Sequence, residues 1–177
     1  MKTLVIYKSK TGFTKKYAEW ISEELSAHII HASKVTANML SDYDCVIYGG
    51  GLYAVGINGI KLIKRNIDKL KDKRVVIFAT GMSPDREDVM REVVDRNFTL
   101  EQQKIIKFFY FRGGFDYHKL NPLDKILMTL LRGSIQWKKV RKKKLNSDEI
   151  GILEIFYKPT DYAKRDRINP LIVYAKS

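Results

Sequence analysis

Four near-continuous apolar runs, Leu4–Tyr7, Asp44–Tyr48, Arg74–Ala79 and Ile105–Phe111, constrain this chain more than any other feature. Their character is continuous rather than alternating, which is what strands buried on both faces require. Between them the period changes to that of a helix. Phe13–Ala27 places Phe13, Tyr17, Trp20, Ile21 and Leu25 on one face, with Lys15, Lys16, Glu19, Glu23 and Glu24 between them. Ile57–Leu70 repeats the pattern through Ile60, Ile63, Ile67 and Leu70, and Asp85–Phe98 through Val89, Val93 and Val94. His28–His31 reads as a short strand ahead of the second run. Strands separated by helices of about 10 to 15 residues demand right-handed crossovers and a parallel sheet covered on both faces. The expected fold is therefore α/β, a doubly wound, five-stranded parallel sheet forming one domain over residues 1–177.

Open sheets of this kind bind ligands at the carboxyl ends of their strands. Three loops that contain glycine fall there: Ser9-Lys10-Thr11-Gly12-Phe13-Thr14, Gly49-Gly50-Gly51-Leu52-Tyr53-Ala54 and Thr80-Gly81-Met82-Ser83-Pro84. The first leads from a strand into a helix N-terminus, where unpaired backbone N–H groups and the positive end of the dipole favour an anion. Its three hydroxyls add donors, and Gly12 permits close backbone approach. It contains neither G-x-x-x-x-G-K-[ST] nor G-x-G-x-x-G, so it suits a terminal phosphate monoester rather than a triphosphate or a dinucleotide. The ordinary alternative is a turn in which Thr11 or Thr14 simply caps the helix.

The hydrophobic fraction of 45% is enough for a continuous core. No segment approaches the roughly 20 apolar residues of a membrane span, and the N-terminal apolar run is too short for a signal peptide, so the expected location is cytoplasmic. A single cysteine, Cys45, excludes an internal disulfide and a cysteine metal cage, and no metal site is expected. The net charge of +13 points to anionic partners. Between Arg112 and Leu145 ten Lys/Arg stand against two Asp, a net of +8. Within this basic stretch, Asn121-Pro122 and Asp124 signal a helix start and Arg132-Gly133 its end. Leu123, Ile126, Leu127, Leu130 and Leu131 form one apolar face, and Trp137 with Lys138–Lys144 follows. Asn121–Lys144 thus matches an interfacial element for an anionic membrane surface, or else a core-capping helix beside a solvated basic run. Nucleic acid is not an expected partner, since no aromatic platform or recognised module accompanies the lysines. Ser147–Tyr157 and Asp166–Ala175 read as final helices.

The loop Ser9–Thr14, S-x-T-G-x-T after an N-terminal strand, resembles the FMN phosphate loop of flavodoxins. The resemblance implies strand order 2-1-3-4-5, with the ligand between the first and third strands. It implies that Ser9, Thr11, Gly12 and Thr14 hold the phosphate while Lys10 and Phe13 contribute backbone groups. Gly50, Gly51, Leu52, Tyr53 and Ala54 would flank the flavin ring on one side and Thr80, Gly81 and Met82 on the other, with Tyr53 stacked on it. Flavodoxins in the strict sense surround the ring with acidic residues, whereas the loops 49–54 and 80–84 hold none. The stretch Arg112–Met128, part of a basic helical insertion at about 112–145, is similar to the inserted segment of the menaquinone-dependent protoporphyrinogen IX dehydrogenase group. That similarity implies an FMN oxidoreductase, peripheral on the inner face of the cell membrane, that oxidises a tetrapyrrole and passes electrons to quinone. A soluble electron-transfer flavodoxin and a cofactor-free membrane-binding module are the alternatives. No catalytic residue is assigned: His118 has no visible acid or base partner, and His28 and His31 read as structural.

Overall fold

The computed structural model describes residues 1–53, 55–120, 122–145, 149–151, 153, 156 and 159–177. They form two compact units, Met1–Gly113 with Ala163–Ser177, and Gly114–Tyr162. The first unit is built on β1 (Thr3–Lys8), β2 (His28–His31), β3 (Cys45–Tyr53), β4 (Gly56–Ile57), β5 (Arg74–Gly81) and β6 (Ile106–Arg112). Five of these run parallel in the order β2-β1-β3-β5-β6, the 2-1-3-4-5 arrangement expected of the five principal strands. The sixth, β4, adds antiparallel to the end of β3, with Leu52 opposite Ile57.

Alternate residues of the same strands enter opposite cores. Leu4, Ile6, Tyr48 and Ile77 pack with Ile60, Ile63, Leu70 and Val93 on one face. Val5, Ile47, Val76 and Phe78 pack with Tyr17, Ile21, Leu171 and Ala175 on the other. Each such large apolar side chain contributes about 1.5–3 kcal/mol when fully buried, so burial on both faces explains why the strands read as continuous apolar runs. Helix α1 (Phe13–Leu25) lies on the second face. It ends with Ser26 at φ +48°, where Ala27 N–H donates to the Ser22 carbonyl at 2.9 Å and satisfies an otherwise orphaned acceptor.

Elsewhere the elements differ from the sequence periodicity. The expected helix Ile57–Leu70 is three pieces: β4, then α2 (Lys61–Arg65), then a 3-10 turn at Ile67–Leu70. Gly59, at φ +77°, turns the chain into α2, and the Asn66 amide donates back to the Leu62 carbonyl at 2.8 Å and closes it. The core contacts of Ile60, Ile63 and Leu70 survive the break. Helix α3 (Glu87–Asn97) is followed by α4 (Leu100–Ile105), which takes Ile105 out of the last strand. A capping box between Thr99 and Gln102 starts α4.

The second unit holds β7 (Gly114–Phe115), α5 (Pro122–Val140) and β8 (Thr160–Asp161), the two strands pairing antiparallel. The Tyr117 ring packs on Phe156, and its hydroxyl lies 2.9 Å from that of Thr129. Gly133 does not end α5, which runs through it to Val140. An interior glycine costs only about 1 kcal/mol relative to alanine, too little to end a 19-residue helix. The stop comes at Lys142, at φ +52°, with Lys143 N–H bonded to the Lys138 carbonyl at 3.1 Å. Asn121, the expected N-cap, lies outside the described residues, as does most of the expected helix Ser147–Tyr157. The chain closes with a 3-10 turn, Arg165–Ile168, and α6 (Asn169–Lys176), which places Leu171 and Ala175 in the core.

Candidate functional site

β1 leads to α1 on one face of the sheet, and β3 leads to α2 on the other. The loops leaving these adjacent strands therefore part at their carboxyl ends and open a crevice. The register aligns its walls: Lys8 pairs with Gly50, Gly50 with Ala79 and Gly51 with Thr80.

The first wall is Ser9–Thr14. Gly12 is the N-cap of α1 at φ +94°, a conformation that strains any other L residue, although a Cβ there would meet nothing within 4 Å. The Gly12 N–H donates to Ser9 Oγ at 3.0 Å, closing the turn. No side chain caps α1 and no acidic residue occupies its first turn. Thr11 and Thr14 are thus not the ordinary caps they could have been. Ser9 and Thr11 are half-buried in the loop, Lys10 and Gly12 are exposed, and Phe13 is buried. Thr14, only 3% exposed, turns away: its hydroxyl lies 2.7 Å from that of Thr80, itself 6% exposed.

The second wall is the end of β3. Its glycines serve separate needs. A Cβ on Gly49 would run into the Phe78 ring, and one on Gly50 would lie 2.7 Å from the Asn58 carbonyl oxygen. Gly49 and Gly50 are therefore required by packing within the protein. Gly51 has only ordinary contacts around it, with Thr14 Oγ1 at 3.5 Å and Thr80 Oγ1 at 3.9 Å. Tyr53 is 43% exposed, and the Lys10 ammonium sits over its ring at 4.2 Å, joining the first wall to the second. Ala54 lies outside the described residues.

The third element, Thr80–Met82, is pinned from β6. The Arg112 Nε–H donates to the Met82 carbonyl at 3.0 Å and the Tyr110 hydroxyl to the Ser83 carbonyl at 2.8 Å. Burial pushes the Tyr110 phenol up to about 12, with Arg112 pulling the other way, so the hydroxyl remains a donor at neutral pH. Tyr48, likewise raised by burial, donates to the Asn58 carbonyl at 2.6 Å. Asn97 holds the loop beyond Tyr53: it accepts from Ile57 N–H at 3.0 Å and donates to the Val55 carbonyl at 2.6 Å. Sequence reasoning passed over Tyr48, Asn97, Tyr110 and Arg112. Asn97 left a signal, an amide four residues after Val93 on the inward face of α3.

The remaining candidates lie elsewhere. His118 belongs to the second unit, where its N–H is held by Asp116 Oδ1 at 2.9 Å. His28 Nδ1 lies 2.6 Å from the Tyr43 hydroxyl and His31 Nδ1 2.7 Å from that of Ser33, which are structural pairings. Among the described residues no group of three or more His, Cys, Asp or Glu could hold a metal ion. Burial raises the Cys45 thiol to about 11, despite the lowering pull of Arg74, so it is inert packing.

Over 87 residues the chain is 34% identical to an uncharacterized protein of Methanocaldococcus jannaschii, covering 48% of this chain and 57% of the relative's length. Two solved structures are similar: a flavodoxin from the domain Archaea (17% identity, TM-score 0.43, 64% of this chain and 85% of that one) and the two-electron reduced flavodoxin of Megasphaera elsdenii (16% identity, TM-score 0.46, 62% and 85%). The family model described as Flavodoxin domain matches residues 4–140, taking in β1 through β6, the crevice between β1 and β3, and α5. With more than half of its length so matched, this chain belongs to the flavodoxin domain family.

Proposed function

We propose that this chain binds FMN in the crevice between β1 and β3 and works as a redox flavoprotein. The observation that carries the reading is the meeting of an uncapped, hydroxyl-bearing helix N-terminus with a glycine-lined strand end that finishes in a half-exposed Tyr53. The donor set fits a phosphate. Ser9 and Thr11 would offer hydroxyls, Lys10, Thr11 and Phe13 backbone N–H groups, and Lys10 a cation, with no carboxylate in the turn to oppose them. Thr14 would act from behind, fixing the first turn of α1 to β5. Leu52 and Tyr53 on one side and Thr80–Met82 on the other would flank the ring, on loops held by Asn97, Tyr110 and Arg112.

Bound FMN would supply reversible electron chemistry, which no side chain here can. The protein's share is to orient it and set its potential. With no Asp or Glu in 49–54 or 80–84 and Lys10 over Tyr53, the site is electropositive and favours the reduced, anionic cofactor. That suits a protein that accepts electrons from a substrate. The finer reading is oxidation of a tetrapyrrole of the protoporphyrinogen type at the inner face of the membrane, with a quinone as acceptor. Its support is the resemblance carried by Arg112–Met128.

Titrating FMN into the purified protein while following quenching of flavin fluorescence, then assaying protoporphyrinogen IX with a menaquinone analogue under anaerobic conditions, tests both levels. Uptake with turnover supports the whole reading. Uptake without turnover leaves an electron-transfer flavodoxin. Failure to take up FMN refutes the site and leaves a cofactor-free module.

A further inference from the structure

Helix α5 has its polarity reversed. Its inward positions, Asp124, Lys125, Met128, Arg132 and Ile135, are buried or half-buried, and three of the five are charged. Its outward positions are apolar: Leu123, Ile126, Leu127 and Leu130 are each 58 to 73% exposed. At 100° per residue these four and Trp137 lie on one stripe. A surface helix ordinarily turns such a stripe to the core, and a contiguous exposed apolar patch marks a binding face.

The charge beside the stripe identifies what covers it. The one acid in α5, Asp124, is among the inward positions. At the carboxyl end stand Lys138, Lys139 and Arg141, followed by Lys142-Lys143-Lys144, and the Arg141 guanidinium lies on the Trp137 ring at 3.7 Å. A second copy would bring a segment of net +8 against its own likeness, which disfavours self-association. An anionic bilayer instead offers an apolar layer directly beneath a sheet of phosphates, matching an apolar stripe that ends in tryptophan and cations. No helix among the described residues is long and apolar enough to cross a membrane, so α5 would lie along the surface.

We propose that α5 is an interfacial docking helix for anionic lipid, with the Leu123–Leu130 stripe at the acyl boundary and Trp137, Arg141 and the following lysines among the headgroups. This deepens the membrane part of the functional reading by naming the element, the face and the lipid class, and it requires no flavin.

The test uses the full chain, with W20F leaving Trp137 as the one tryptophan reporter. Vesicles of equal phosphatidylglycerol and phosphatidylcholine, at 0.1 M salt, are expected to shift Trp137 emission to the blue and to sediment the wild-type protein, with at least tenfold weaker binding to phosphatidylcholine alone. The variant L127E/L130E changes only exposed positions and should abolish binding with an unchanged circular dichroism spectrum. K139Q/R141Q/K143Q, which spares Lys138 because it is paired with Glu149 at 2.6 Å, should weaken it about 100-fold, at roughly fivefold per cation. Equal binding to neutral vesicles, or binding retained by L127E/L130E, overturns the proposal. So does a wild-type dimer that ignores vesicles and becomes monomeric in L127E/L130E. FMN uptake is measured on the same samples. Protein that takes up FMN but ignores vesicles sinks the docking helix alone, and protein that binds vesicles without FMN sinks the flavin site alone.

Discussion

Replacing Thr14 and Thr80 by valine, singly and together, tests how the proposed phosphate loop is attached to the sheet. The two hydroxyls are 2.7 Å apart and nearly excluded from solvent. Valine preserves the shape of threonine, so neither change opens a cavity. A single substitution removes one hydrogen bond and leaves the opposite hydroxyl buried without its partner, at an expected cost of about 1–3 kcal/mol. The double substitution leaves two methyl groups in contact and no orphan, so its cost should fall to about 1 kcal/mol or less. The cycle should therefore show coupling of at least about 1 kcal/mol between the sites. Urea unfolding of the FMN-free protein measures it: with a slope of about 2 kcal/mol/M, a single variant should lose about 1 M in midpoint. Additive losses would refute the pair as an energetic unit. FMN affinity then separates two roles for Thr14. If it is a strut, T14V and T80V weaken FMN alike; a loss confined to T14V would mean that this hydroxyl reaches the phosphate itself.

Gly50→Ala should cost about 3 kcal/mol or more in urea unfolding, because its Cβ would press on the Ile57 side chain and the Asn58 backbone, whereas Gly51→Ala should change stability by less than about 1 kcal/mol. An equal loss at both positions would refute the division of labour among the glycines. A redox titration of the FMN-loaded protein should give a less negative second couple than an acid-lined flavodoxin shows, and a strongly negative one would refute the electropositive site. Stability should fall with alkali. Burial raises the folded pKa of Cys45 to about 11 and of Tyr110 to about 12. Each group's contribution is complete below its unfolded pKa, of about 8.5 for the thiol and 10 for the phenol, and is lost as pH rises through the folded value. Urea midpoints from pH 8 to 12 that show no decline would contradict this burial.

The parallel order and the two-faced core were legible because the covered stretch of a doubly buried strand has to be apolar on both faces, and Leu4–Ile6 of β1, Cys45–Tyr48 of β3 and Val75–Ala79 of β5 are. The breaks in helices were less so. From Ile57 to Leu70 apolar spacing satisfies one long helix as well as a strand, a short helix and a 3-10 turn that deliver Ile60, Ile63 and Leu70 to the same core. Periodicity records which residues are buried, not the path between them. The start of α4 was available, since Thr99-Leu100-Glu101-Gln102 is a capping box, but it is masked by the apolar run beginning at Ile105. The site divided in the same way. The Ser9–Thr14 loop announces itself by local chemistry, whereas the partners of Asn97, Tyr110 and Arg112 are carbonyls that every residue has, so only the folded chain reveals them.

Helix α5 sharpens that distinction. A leucine stripe looks the same in sequence whether it faces a core or a bilayer, because both reward apolar area through the same loss of contact with water. Asymmetry has to come from the opposite face. An ordinary amphipathic helix is polar there throughout, yet α5 places Met128 and Ile135 among Asp124, Lys125 and Arg132 on that side. Those two apolar residues lie on the shielded face, and the richer apolar stripe is the exposed one. On the docking-helix proposal, the cations past Trp137 would add attraction to anionic lipid and repulsion between copies, so one run of charge would both recruit the bilayer and disfavour pairing through the exposed leucine face.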